Sequence, residues 1–127
     1  MNIISTTAAP RAIGPYSQAI AHNGILYCSG QIALGIDGSD HTDKDVQVQT
    51  RMALSNLKAV VEKGGSSLEK VLKVTIFLAD MSDFQRVNEI YSEFFSTHKP
   101  ARACVAVRTL PKNALVEIDC IAAIEDS

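Results

Sequence analysis

The spacing of hydrophobic and polar positions changes several times along the chain, and each change predicts an element. In "SQAIAHNGILYCSG" (17–30) two short apolar runs flank His22-Asn23-Gly24. Asn-Gly between two such runs predicts a tight hairpin, because both turn positions need positive φ. Gly35 and Asp37-Gly38 then predict a loop. From Thr42 to Lys63, Val46, Ala53, Leu57, Val60 and Val61 recur near helical spacing. A helix is expected there, capped by Thr42 or Asp43 and stopped by Gly64-Gly65. The run "VLKVTIFLADM" (71–81) is too short and too β-branched for a helix and reads as a buried strand. Ser82-Asp83 is expected to cap a second helix, with Phe84, Val87, Ile90, Tyr91 and Phe94 along one stripe. That helix gives out near Thr97, before Pro100.

Two alternating stretches close the chain, "ARACVAVR" (101–108) and "LVEIDCIAAI" (115–124), joined by "TLPKNA". They are expected to pair as an antiparallel hairpin, with Arg108 opposite Leu115, Ala106 opposite Glu117 and Cys104 opposite Asp119. One sheet face would then carry Arg102, Cys104 and Arg108 together with Glu117 and Asp119. A guanidinium inside a short apolar strand is costly unless an anion meets it. A solvated or interface salt bridge is the plain explanation of such a seam. Strand-strand-helix-strand-helix-strand-strand predicts a single α+β domain over residues 1–127, a one-layer sheet with two helices on one face. The charged face, with Ala106, Ile121 and Ala123 on it, is too apolar to be simply wet. A second subunit is expected to cover it, and ligand sites form at such junctions.

Composition narrows the function classes. With 46% hydrophobic and 20% charged residues, the 127-residue chain is an ordinary globular protein. A net charge of -2 and the lack of any Lys/Arg run give no electrostatic footprint for nucleic acid. No segment approaches membrane-spanning length, and "MNIISTTAAPR" has no basic region followed by an apolar stretch. A cytoplasmic location is therefore expected. Cys28, Cys104 and Cys120 are odd in number and widely spaced in apolar runs, which fits reduced thiols better than disulfides or a zinc site. Cys104 has no histidine near it in sequence to activate it, and apolar surroundings raise a thiol's pKa. His22, His41 and His98 fall in a turn, a loop and a helix end, so all three are expected to face solvent.

The stretches "GPYSQA" (14–19), "CSGQIA" (28–33), "NLKAVVEKGG" (56–65), "VNEIYSEFF" (87–95), "PARACVAV" (100–107) and "LPKNALVEIDCIA" (110–122) together closely resemble the Rid, or YjgF, family in its RidA subgroup. The resemblance covers nearly the whole chain in order. It implies a chorismate-mutase-like fold, a homotrimer whose sheets form a central barrel, and sites in clefts between subunits. It also implies hydrolysis of 2-imino acids and their enamine tautomers, such as 2-aminoacrylate, to 2-oxo acids and ammonia. Pyridoxal-phosphate enzymes release these species, and the family enzyme uses no cofactor or metal. Carried over by position, Arg102 would bind the substrate carboxylate and Glu117 would sit near the hydrolytic water. Tyr16 would line the cleft, and Ser29, Gly30 and the backbone at Cys104 would add hydrogen bonds, with Asn88 at the matching helix position. Ala33, Ala106 and Arg108-Thr109 depart from residues common in the family and bear on substrate size more than on the reaction.

The chemistry asks for these residue types. Arginine's planar fork grips a carboxylate with two charge-assisted hydrogen bonds, which lysine cannot do. Hydrolysis then needs one water over the C=N face, and a carboxylate near Arg102 would stay ionised and orient it. A trimeric sensor of small carboxylates such as 2-oxobutanoate would use the same Arg102 without a productive water. The older family label of endoribonuclease or translation inhibitor finds neither a His pair nor an acidic metal cluster in this chain.

Overall fold

A computed structural model describes residues 1–124. In chain order it contains β1 (Asn2–Ile4), β2 (Ala19–His22), β3 (Ile25–Gln31), α1 (Val46–Lys63), β4 (Val71–Leu78), α2 (Phe84–Phe94), β5 (Ala101–Ala106) and β6 (Val116–Ala123). All six strands join one mixed sheet in the order β1-β2-β3-β6-β4-β5. Asn23 and Gly24 take positive φ, 52° and 78°, and close the β2–β3 hairpin as the Asn-Gly pair predicts. The strand β1, which the sequence pattern does not predict, pairs antiparallel with β2.

Both helices match expectation in place and type. The N-cap of α1 differs: it is Asp45, not Thr42 or Asp43, and its side chain accepts a hydrogen bond from Gln47 N–H. For α2 the side chain that closes the entry turn is Asp80, which accepts from Ser82 N–H, while Asp83 sits at the N-cap without a side-chain bond. Leu54 and Leu57 of α1 are fully buried with Val74, Ile76 and Leu78 of β4 and Val116 and Ile118 of β6. Each such side chain stabilises the fold by about 1.5–3 kcal/mol. Val87, Ile90 and Tyr91 bring α2 onto the same core.

The pairing of the last two strands overturns the expected hairpin. β5 pairs in parallel with β4, and β6 pairs antiparallel with both β4 and β3, so β4 lies between β5 and β6. Across the sheet Arg102 aligns with Val74 and Cys104 with Ile76, on the buried face under the helices. Glu117 aligns with Phe77 and Asp119 with Thr75, on the opposite face. The seam read from the sequence is therefore split between the two sides. Arg108 lies beyond β5, past the Val107 N–H to Leu78 carbonyl bond, and is exposed. Among the described residues, no helix is long and apolar enough to cross a membrane.

Gln49, fully buried on α1, holds the helix entry to the β6 approach. Its Nε2 donates to the Thr42 and Lys44 carbonyls at 3.0 and 2.8 Å, and its Oε1 accepts from Leu115 N–H at 3.0 Å. Gln49→Leu keeps the bulk and strands these groups. Urea unfolding at fixed chain concentration is expected to show a loss of about 2–4 kcal/mol with an unchanged m-value.

Candidate functional site

Glu117 projects from β6 into an open cleft of about 540 Å³ on the side of the sheet away from the helices. The walls include Tyr16, Ser29, Gly30, Pro10, Arg11 and Lys112. A break in β3–β6 register between Cys28 and Gln31 puts Ser29 and Gly30 into a bulge facing Glu117. Gly30 leaves room for the Glu117 carboxyl where it stands: a Cβ would overlap its Oε2 and lie 2.9 Å from its carboxyl carbon, so the side chain would have to move aside. Burial, and to a smaller degree the neighbouring Asp119, pushes the Glu117 carboxyl above its ordinary pKa. Asp119 is also raised by burial, with Lys73 pulling the other way.

The segment that delivers Tyr16 is tied down by polar side chains. Buried Gln18 accepts from Thr6 N–H at 2.7 Å and donates to the Pro10 carbonyl at 2.8 Å. The Ser29 hydroxyl donates to the Ser17 carbonyl at 2.6 Å, and Ser29 N–H donates to the Gln18 carbonyl at 2.9 Å. Ser29 thus has no proton left for a ligand. Its oxygen can only accept, so its first task is to seat the strand beside Tyr16. Tyr16 itself stands 54% exposed at the cleft.

Arg102 lies elsewhere, on edge strand β5 beneath α2. Its Nη1 donates to Asn88 Oδ1 at 2.6 Å. Its guanidinium carbon lies 4.7 Å from the Tyr91 ring centroid and 5.6 Å from that of Phe84. Phe84, Asn88 and Tyr91 follow one another at i, i+4 and i+7. That helical spacing is the sequence signal for a shared stripe, although it does not say which strand residue lies beneath it. Cys104, two residues along β5, is half-buried; burial raises its thiol pKa and the Arg102 charge opposes the rise. A thiol held protonated is a poor nucleophile.

One chain therefore groups Tyr16, Ser29, Gly30 and Glu117 on one side of the sheet, and Asn88, Arg102 and Cys104 on the other. It does not bring Arg102 to Glu117. Among the described residues no carboxylate pairs with Arg102, contrary to the expectation from the sequence, and Glu117 is raised, not lowered. Cys28 and Cys120 face each other across β3 and β6 in the core, where contact with Cys28 and burial push the Cys120 thiol up. His22 is exposed, as expected. His98 is not: half-buried, its Nε2 donates to the Val71 carbonyl at 2.6 Å and anchors the start of β4. Among the described residues, no group of three or more His, Cys, Asp or Glu is arranged to hold a metal ion.

Residues 6–124 match the family described as Endoribonuclease L-PSP. A RutC family protein of Synechocystis is 49% identical, across 98% of this chain and 97% of its own length. A 2-iminobutanoate/2-iminopropanoate deaminase of Dermatophagoides farinae is 43% identical, across 97% of this chain and 96% of its own. Among solved structures, E. coli TdcF with bound serine superposes with a TM-score of 0.92 at 40% identity, covering 98% of this chain and 100% of that one.

The carboxyl pair on β6 gives a direct electrostatic test. Asp119→Asn removes a like charge, so the Glu117 titration midpoint, followed by carboxyl ¹³C NMR, is expected to fall. It stays above the ordinary glutamate value, because burial is the larger cause. An unmoved midpoint would mean that the two carboxyls do not interact.

Proposed function

The chain belongs to the Rid/YjgF family, the one described as endoribonuclease L-PSP, and on that premise we propose that it hydrolyses reactive 2-imino acids and their enamine tautomers in clefts shared by neighbouring copies of a homotrimer. The observation that carries this reading is the split of the candidate residues. A guanidinium with free donors lies at the sheet edge, and a carboxyl with a raised pKa lies in an open cleft on the other face. Each group suits one part of a small, planar, anionic electrophile, and a second copy can bring them together. The relative solved with bound serine holds a ligand of the same size that also bears a carboxylate beside a nitrogen-bearing carbon.

In this reading Arg102 receives the substrate carboxylate on the N–H groups that Asn88 leaves free. The imine carbon is then presented to a water held by Glu117 of the adjacent copy. The water oxygen bonds to that carbon as the C=N double bond becomes single, and Glu117 takes the water's proton. Glu117 then returns that proton to the carbinolamine nitrogen, the hydroxyl gives up its own proton to the freed carboxylate as the C–O bond becomes double, and the C–N bond breaks to leave ammonia and a 2-oxo acid. An acid whose affinity for protons is raised by burial accepts one more readily than an ordinary glutamate. Since an iminium is already a strong electrophile, positioning supplies much of the acceleration.

The reaction is tested by generating 2-aminoacrylate or 2-iminobutanoate with a dehydratase and trapping the remaining imine with semicarbazide. Wild type is expected to deplete the trapped fraction, and Arg102→Ala to abolish the effect. A wild type that binds 2-oxobutanoate yet leaves the trapped fraction unchanged would instead be a small-carboxylate sensor. RNA cleavage with a steep salt dependence would favour the nuclease label.

The shared cleft has its own test. Arg102→Ala and Glu117→Ala chains are each expected to be inactive alone. Dissociated, mixed one to one and reassembled, they should recover about a quarter of wild-type turnover, because a random trimer pairs an intact glutamate with an intact neighbouring arginine at one junction in about four. No recovery at all would sink the shared cleft.

A further inference from the structure

We propose that α2 is a positioning platform for the anion-binding guanidinium: Asn88 and the Tyr91 and Phe84 rings fix the plane of the Arg102 fork before any ligand arrives. The inference rests on the reading of Arg102 as the carboxylate ligand and gives Asn88 a different task from contacting substrate. Asn88 Oδ1 already accepts from Arg102 Nη1 at 2.6 Å, so its acceptor is directed at the protein's own cation. One of the five guanidinium N–H groups is used in this way and four remain. The Tyr91 ring lies 4.7 Å from the guanidinium carbon and the Phe84 ring 5.6 Å. The hydrogen bond and the two ring contacts restrain rotation of the fork together, and losing either loosens it.

Tyr91 is itself well fixed. It is only 7% exposed, and its ring packs on Phe95 with centroids 4.8 Å apart. Among the described residues its buried hydroxyl has no partner at hydrogen-bond geometry, yet it lies near enough for Arg102 to oppose the rise that burial gives its pKa. The contact that the geometry resolves is that of the guanidinium with the ring. A fork held in one plane meets a planar carboxylate without losing further rotational freedom, so the platform acts on binding more than on the chemical step.

Two measurements test the platform. The first needs no substrate: ¹⁵N–¹H spectra of the arginine side chains report rotation about the Arg102 Nε–Cζ bond. Rotation is expected to be slow in wild type and at least tenfold faster in Asn88→Ala and Tyr91→Leu, with slow rotation restored by Tyr91→Phe, which keeps the ring. The second is the imine assay with 2-oxobutanoate binding. Asn88→Ala should raise KM and the 2-oxobutanoate Kd about tenfold while kcat changes far less, the loss of one charge-assisted bond that pre-orients the fork. Should Tyr91→Leu fail to fold, the half-buried Asn88→Ala carries both arms. Unchanged rotation or unchanged 2-oxobutanoate affinity in folded Asn88→Ala overturns the platform. A wild type that neither turns over imine nor binds 2-oxobutanoate, while rotation still quickens in Asn88→Ala, overturns the deaminase reading and the recognition role but upholds the restraint.

Discussion

The parallel ladder between β4 and β5 is the constraint on which the rest of the arrangement depends. β4 is paired on both sides, and Val74, Ile76 and Leu78 point into the core, so its alternation is fixed. β5 inherits that parity through Val74 opposite Arg102 and Ile76 opposite Cys104. A one-residue slip would turn Arg102 to the other face. Parallel neighbours also need a crossover, and here the crossover is α2. The helix that carries the chain from β4 to β5 thus lies over the strand it delivers, and this is why Phe84, Asn88 and Tyr91 come to rest on Arg102. The platform follows from connectivity as much as from side-chain identity.

The opposite face is shaped by the same parity. Glu117 and Asp119 alternate with Val116, Ile118 and Cys120, which are buried beneath the helices. Their carboxyls therefore emerge among Tyr27, Ile121, Phe77 and Val105, a setting apolar enough to raise both pKa values. The bulge at Ser29–Gly30 then clears the space that the Glu117 side chain occupies. Neither carboxyl meets Arg102 within the chain. What one face lacks, the other has.

Local periodicity made most elements legible. The Asn23-Gly24 turn, α1, β4 and α2 all lie where spacing and punctuation put them. β1 is three residues long and exists through its pairing with β2, which leaves no signal in "NII" itself. The sequence reading put the cap of α1 at Thr42 or Asp43 and passed over Asp45, which is equally competent in type and which the bond from Gln47 N–H selects. Alternation identified β5 and β6 as strands and assigned each its two faces, but it carries no information about which strand lies beside which. Sequence proximity favoured a hairpin; insertion of β4 between them reversed the relation between the faces. Arg102 and Glu117 were legible as candidates through motif resemblance, whereas their separation became visible only with the sheet order.

This separation also explains how one sheet tolerates both halves of the proposed site. Had the two terminal strands formed the expected hairpin, Asp119 would have been Arg102's diagonal neighbour on the same face, and an internal ion pair could have satisfied the fork. Held instead beneath α2 by a neutral amide and two rings, the guanidinium keeps its charge and four of its donors uncommitted. Glu117, in no ion pair among the described residues, keeps a raised affinity for protons. The helix-side core is buried within one chain, while Tyr27, Leu72 and Val105 remain between 43% and 49% exposed. On the proposed reading, association covers apolar surface and completes the chemistry in the same step. The substrate's carboxylate then takes the place that an intramolecular salt bridge would otherwise have filled.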